Sequence, residues 1–115
     1  MAVAKVPSGS SRIGDSVDIV VTGFGTVGET LQLFLIDGFS PDSDILADHD
    51  NYLGDFTFSG VIIPTFPTTA ATTFQCQFKV VDLSNMNEEY SDAFDLLAAV
   101  SSGPRKLALS TGLSL

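Results

Sequence analysis

Few side chains in this sequence could carry chemistry, and their surroundings say what each would do. The chain holds one cysteine, Cys76, and one histidine, His49. Cys76 falls on the apolar side of an alternating run, where a thiol acts as a small hydrophobe and not as a nucleophile. A single cysteine also forms no internal disulfide. His49 has no candidate nucleophile beside it and reads as a surface loop residue. Gly23, Gly25 and Gly28 satisfy the G-x-G-x-x-G spacing of a dinucleotide loop. That loop works only between a strand and a helix, whose N-terminal amides hold the pyrophosphate. Here ETLQLFLIDGF follows, with Leu31, Leu33 and Leu35 alternating as in a strand, and no βα repeat comes after it. The glycines are therefore expected to supply positive φ in a hairpin joining two strands.

Carboxylates are the abundant functional group. Asp42, Asp44, Asp48 and Asp50, with His49 among them, offer oxygen ligands of the kind calcium takes. The D-x-D-x-D-G order of an EF-hand loop is broken by Ile45 and Leu46, and aspartates also cluster where chains turn. No metal or cofactor is expected, and these four are the calcium candidates. Among fourteen acids, a glycosidase-like pair arises by chance and decides nothing. A non-enzymatic protein is expected.

The charge has a pattern. All fourteen acids lie between Asp15 and Asp95, an interval whose only lysine or arginine is Lys79, while the flanks carry Lys5, Arg12, Arg105 and Lys106 and no acid. An acidic body repels nucleic acid, and basic ends favour an acidic neighbour. The expected docking charges are Lys5, Arg12, Arg105 and Lys106. Leu107, Leu109, Leu113 and Leu115, set off by Gly103 and Pro104, are the expected apolar anchors. MAVAKVPSGSS turns polar too early for a signal pattern, and no run is long enough to span a membrane. Synthesis in the cytoplasm and no membrane partner are expected.

The elements that must position these groups are strands. At 115 residues and 44% apolar composition, with nine Phe, the chain supports one domain with one core. Thr73 to Leu83, TFQCQFKVVDL, alternates almost without error, with Phe74, Cys76, Phe78 and Val80 on one face and Gln75, Gln77, Lys79 and Val81 on the other. Such a face needs a second sheet to cover it. DSVDIVVT, LQLFLI, FTFSGVII and AFDLLAAV supply further strands, with Gly60 a candidate bulge. SNMNEEYSD reads as a polar loop between the last two. The expected layout is an N-terminal arm over 1–12 with a short strand at Ala2 to Val6, an all-β two-sheet antiparallel sandwich over 13–100, and a C-terminal arm over 101–115.

IGDSVDIVVTGFG, LGDFTFSGVIIP and TFQCQFKVVDLSN followed by SDAFDL resemble strands of the immunoglobulin-like superfamily. The family's tyrosine corner would place Tyr at Phe74, which lacks the hydroxyl, and the partner cysteine and core Trp are missing, so only the broader immunoglobulin-like sandwich is implied. An acidic sandwich with basic, leucine-studded arms looks like the decoration, or cement, proteins of bacteriophage heads. That resemblance implies capsid or neighbouring structural subunits as partners, an oligomer or ordered array, and a place on the virion surface. The alternative is a surface or filament module, adhesin- or pilus-like, that assembles by strand addition. A sugar-binding sandwich is poorly equipped, with no Trp and only Tyr52 and Tyr90 to stack on a ring.

Overall fold

A computed structural model of the protein describes residues 2–37, 42–65 and 73–99. Among them are nine strands and no helix: β1 (Val3–Val6), β2 (Ser11–Arg12), β3 (Ser16–Thr22), β4 (Leu31–Ile36), β5 (Ala47–His49), β6 (Asp55–Ile62), β7 (Thr73–Asp82), β8 (Asn87–Tyr90) and β9 (Phe94–Leu97). They form two sheets. One has the order β1-β3-β6; the other runs β2-β9-β7-β4-β5, with β8 also on β7. Every pairing is antiparallel except β2 with β9.

The period-two pattern decides which face is buried. Val17, Ile19 and Val21 of β3 meet Leu31, Leu33 and Leu35 of β4 and Cys76, Phe78 and Val80 of β7 in one core cluster. Each fully buried aliphatic or aromatic side chain there contributes about 1.5–3 kcal/mol, so these three strands supply most of the apolar stabilisation. Phe94 of β9 stacks on Phe78, with ring centroids 5.6 Å apart.

Four segments differ from expectation. The residues read as an N-terminal arm are part of the sandwich: β1 pairs with β3 from Val3↔Val21 to Val6↔Asp18, and β2 pairs with β9 at Ser11↔Leu96 and Arg12↔Leu97. Little apolar surface was needed, because the backbone bonds to existing strands and Val3 plugs the core. The chain changes sheets between β1 and β2, where Pro7, with no N–H to donate, ends the first strand. The SNMNEEYSD segment is not all loop, since Asn87–Tyr90 forms β8 along the half of β7 that β9 leaves free. β5 interrupts the acidic connection. In β6, Gly60 marks a bulge: Val17 faces Val61 and Ile19 faces Phe58, leaving two residues opposite Asp18. The alternation then inverts, so Val61 and Ile63 point inward and Ile62 faces solvent. Residues 101–115, with Arg105, Lys106, Leu107, Leu109, Leu113 and Leu115, lie outside the described residues.

Between β8 and β9, Ser91 repairs the ladder. Its N–H donates to Phe78 O at 2.9 Å, and its Oγ accepts the Phe78 N–H at 2.9 Å. Gln77 Nε2 donates to Ser91 O at 2.9 Å. A side-chain oxygen thus replaces the missing strand carbonyl, which keeps a buried amide satisfied.

Candidate interaction surface

Three loops meet at one end of the sandwich: Gly23–Thr30 between β3 and β4, Asp50–Gly54 between β5 and β6, and Leu83–Met86 between β7 and β8. The glycines of GFGTVG turn the chain as expected of them, with φ of +66° at Gly23, +97° at Gly25 and +90° at Gly28. They join strands of different sheets, however, and not a hairpin, and a strand follows them. Gly25 is also a close approach. A Cβ there would lie 2.9 Å from Leu31 Cδ2 and 3.0 Å from Tyr52 Cε2. The third position of the motif is thus taken up by packing on Tyr52.

Tyr52 fills the space beneath the glycine loop and is fully buried. Its hydroxyl donates to Gly54 O. Its backbone accepts from Gly28 N–H at 2.7 Å and donates to Glu29 O at 3.1 Å, while Gly23 N–H donates to Gly54 O at 3.0 Å. Burial raises the phenol's pKa.

Asp82 ties the first loop to the third. It is 1% exposed, and its Oδ2 accepts the Thr26 N–H at 2.8 Å and the Thr26 hydroxyl at 2.7 Å. Its Oδ1 accepts the Ser84 N–H at 2.9 Å and the Ser84 hydroxyl at 2.8 Å. Burial alone would push the carboxyl up. The donors of Thr26 and Ser84 outweigh burial and hold it below the ordinary aspartate value. Met86 N–H closes the turn on Asp82 O at 2.7 Å, and Leu83 N–H reaches Thr30 O at 3.1 Å.

On these braced loops sit apolar side chains that face water: Leu53 at 71% exposure, Val27 and Met86 at 65% and Leu83 at 37%. The charged neighbours at this end are acids: Glu29, Asp50, which accepts from Thr30 Oγ1 at 2.8 Å, and Asp55. The described lysines and arginine lie elsewhere. Lys79 pairs with Asp42 and stands 3.7 Å from Glu88. A rigid, apolar and electronegative platform of this kind fits a partner surface that is apolar and basic.

The residues singled out from the sequence fall as follows. Lys5 is 7% exposed. Its Nζ donates to Pro7 O and to Ser11 Oγ at 2.9 Å and lies 4.8 Å from the centroid of Phe94. It brackets the change of sheet, and burial lowers its pKa against the opposing pull of Asp15. It also lines a cleft of about 230 Å³ with Ser8, Asp92 and Phe94. Lys5 is therefore spent inside the fold and is corrected as a docking charge. Arg12 is exposed, although one guanidinium N–H donates to Ala98 O at 3.1 Å and its amide donates to Asp15 Oδ2 at 2.8 Å. The calcium candidates are not brought together: Asp42 pairs with Lys79, Asp48 sits in β5, Asp50 takes Thr30, and no three His, Cys, Asp or Glu converge among the described residues. His49 stacks on Phe56 with ring centroids 3.5 Å apart. The Cys76 thiol is buried, and desolvation followed by the charge of Asp37 pushes its pKa up to about 12. Of the two tyrosines, Tyr52 is buried and Tyr90 donates its hydroxyl to Glu88.

Sequence reasoning missed Asp82 and Tyr52. Asp82 carried a usable signal, since an aspartate two residues before a serine at a strand end is an Asx-turn pattern. Tyr52 carried none, because its burial depends on the glycine loop closing over it. No protein-family model matches the sequence, and no curated protein compared with it matches either.

Proposed function

We propose that the protein is a non-enzymatic structural component of a virion, an immunoglobulin-like capsid decoration (cement) protein that docks on neighbouring capsid subunits. The observation that carries this reading is the loop end: a hydrogen-bonded platform with four exposed apolar side chains on a body whose charge is otherwise strongly negative. Four of the seven exposed large apolar side chains of the described residues lie at this end, and apolar side chains gathered on one part of a surface mark an interaction site. The strand order supports the immunoglobulin-like part. β1-β3-β6 faces β9-β7-β4-β5, and the N-terminal strand is divided between the sheets, as the A, B and E strands face G, F, C and C′ in that superfamily. With Lys5 and most of the N-terminal segment used internally, attachment falls to the loop end and to Arg105, Lys106 and the leucines after them.

A second reading, a surface or filament module growing by strand addition, is favoured by one observation. Among the described residues β6 is paired on one side only, by β3, so its outer edge from Asp55 to Ile62 is open to a visiting strand. Antibody labelling of material from the source culture separates the two. Label at regular positions on capsids is the expected result. Label confined to cell surfaces or to filaments lacking capsids would overturn the decoration reading in favour of the second.

A further inference from the structure

We propose that residues 103–115 of one copy dock on the loop end of a second copy, linking the protein head to tail. This rests on the loop end being an interaction surface, and it is independent of which particle carries the protein.

The direction of the chain makes the case. β9 runs antiparallel to β7, with Phe94 beside Cys76 and Leu97 beside Thr73. The chain therefore leaves β9 at the opposite end from Asp82 and the three loops. Its exit is fixed, since Ile13 N–H donates to Leu97 O at 3.0 Å and Arg12 holds Ala98 O at 3.1 Å. The nine steps of β7 from Thr73 to Asp82 span about 30 Å at about 3.3 Å per residue. To reach its own loop end, the chain after Ala98 would use about nine residues, through Leu107, merely running back along the body. Arg105 and Lys106 would then fall short of the platform. A second copy placed in line receives the whole segment.

The chemistry of the two surfaces matches. Residues 103–115 carry two cations, four leucines and no acid. The platform carries Val27, Leu53, Leu83 and Met86, flanked by Glu29, Asp50 and Asp55, with no described lysine or arginine at that end. Apolar surface seats the leucines, and the acids attract Arg105 and Lys106. Because the two faces are different and lie at opposite ends, each copy offers one of each, and such a contact does not close on itself at a dimer.

The test uses full-length chains in sedimentation velocity across a concentration series. Wild-type protein is expected to grow in mass with concentration, less so in 0.5 M salt, where charge attraction is screened. Val27→Asp/Met86→Asp removes the platform, and Leu107→Asp/Leu109→Asp removes the segment. Each variant alone is expected to remain monomeric, with self-association weakened about tenfold or more. Mixed, the two variants should form a one-to-one dimer and nothing larger, since each retains the half the other lacks. That dimer shows the segment variant folded, since its loop end must be intact to pair, and a circular dichroism spectrum matching wild type shows the same of the platform variant. A wild-type chain that stays monomeric at every concentration, a single variant that still associates like wild type, or a mixture that fails to pair would overturn the proposal. Failure here leaves the capsid-labelling result untouched, so the two readings fail separately.

Discussion

Replacing Asp82 with alanine is the sharpest probe of the platform. The carboxylate is buried and accepts four hydrogen bonds, two from Thr26 and two from Ser84, all between 2.7 and 2.9 Å. Hydrogen bonds to a charged acceptor contribute about 1.5–3 kcal/mol each. Desolvating the carboxylate opposes them, and the hydroxyls of Thr26 and Ser84 regain water once it is gone. The net loss expected for Asp82→Ala is about 3 kcal/mol, concentrated in two backbone amides left without their acceptor. For a domain of this size that corresponds to a fall in Tm of about 12 °C or more. The pH dependence has a definite sign. The folded pKa is depressed, so Asp82 stabilises fully above the unfolded value of about 3.9 and loses that contribution as pH falls through the folded value. Protonating the other acids relieves repulsion in a chain of net charge −9 and pulls the other way. The difference between wild type and Asp82→Ala, from urea unfolding at pH 7 and in steps below pH 4, isolates Asp82: it should be largest at neutral pH and shrink in acid. A difference under about 1 kcal/mol at pH 7, or one that does not change with pH, would refute the clamp.

Further outcomes follow from single sites. Gly25→Ala meets Leu31 and Tyr52 and keeps a φ of +97°, so it should cost about 2–4 kcal/mol. Gly28→Ala, with a similar φ and open space around it, should cost only about 1 kcal/mol; equal losses in urea melts would contradict the close approach. Ser91→Ala removes the acceptor of the Phe78 amide and should cost about 1–2 kcal/mol, with faster hydrogen exchange at Phe78 as its local signature. Cys76, buried with its thiol pushed up to about 12, should resist iodoacetamide in the native protein at pH 8 and react once urea unfolds it; rapid native labelling would contradict its placement.

How much could be read from the sequence depends on where each element finds its stabilisation. β3, β4 and β7 place their apolar residues at every second position, because each covers one face of a shared core, and that pattern is local. β8 reads NEEY and has no such face, being held chiefly by backbone bonds to β7 that no composition announces. The short strand expected at Ala2 to Val6 is β1, but its place in the sandwich, and β2 altogether, were hidden for a similar reason. Lys5, the most conspicuous residue of the supposed arm, is a buried bracket whose partners are a proline carbonyl, a serine and the ring of Phe94. The inversion in β6 was half visible, since Gly60 suggested a bulge but not that Val61 and Ile63 would turn inward after it. At the loop end the decisive contact joins Thr26 to Asp82, 56 positions apart, and separation of that order leaves no periodic trace.

The division of strands between sheets also governs events on the ribosome. β1, β3 and β6 have all been made once Ile62 has emerged, whereas the other layer lacks its hub until β7 is complete and its closing strand until Leu97. During that interval the nascent polypeptide holds a three-stranded leaflet whose oily side, Val17, Ile19 and Val21, has little to rest on but β4 and the three residues of β5 beside it. Slow elongation through the threonines before β7 would prolong that exposure, and a holdase chaperone would find its best substrate there.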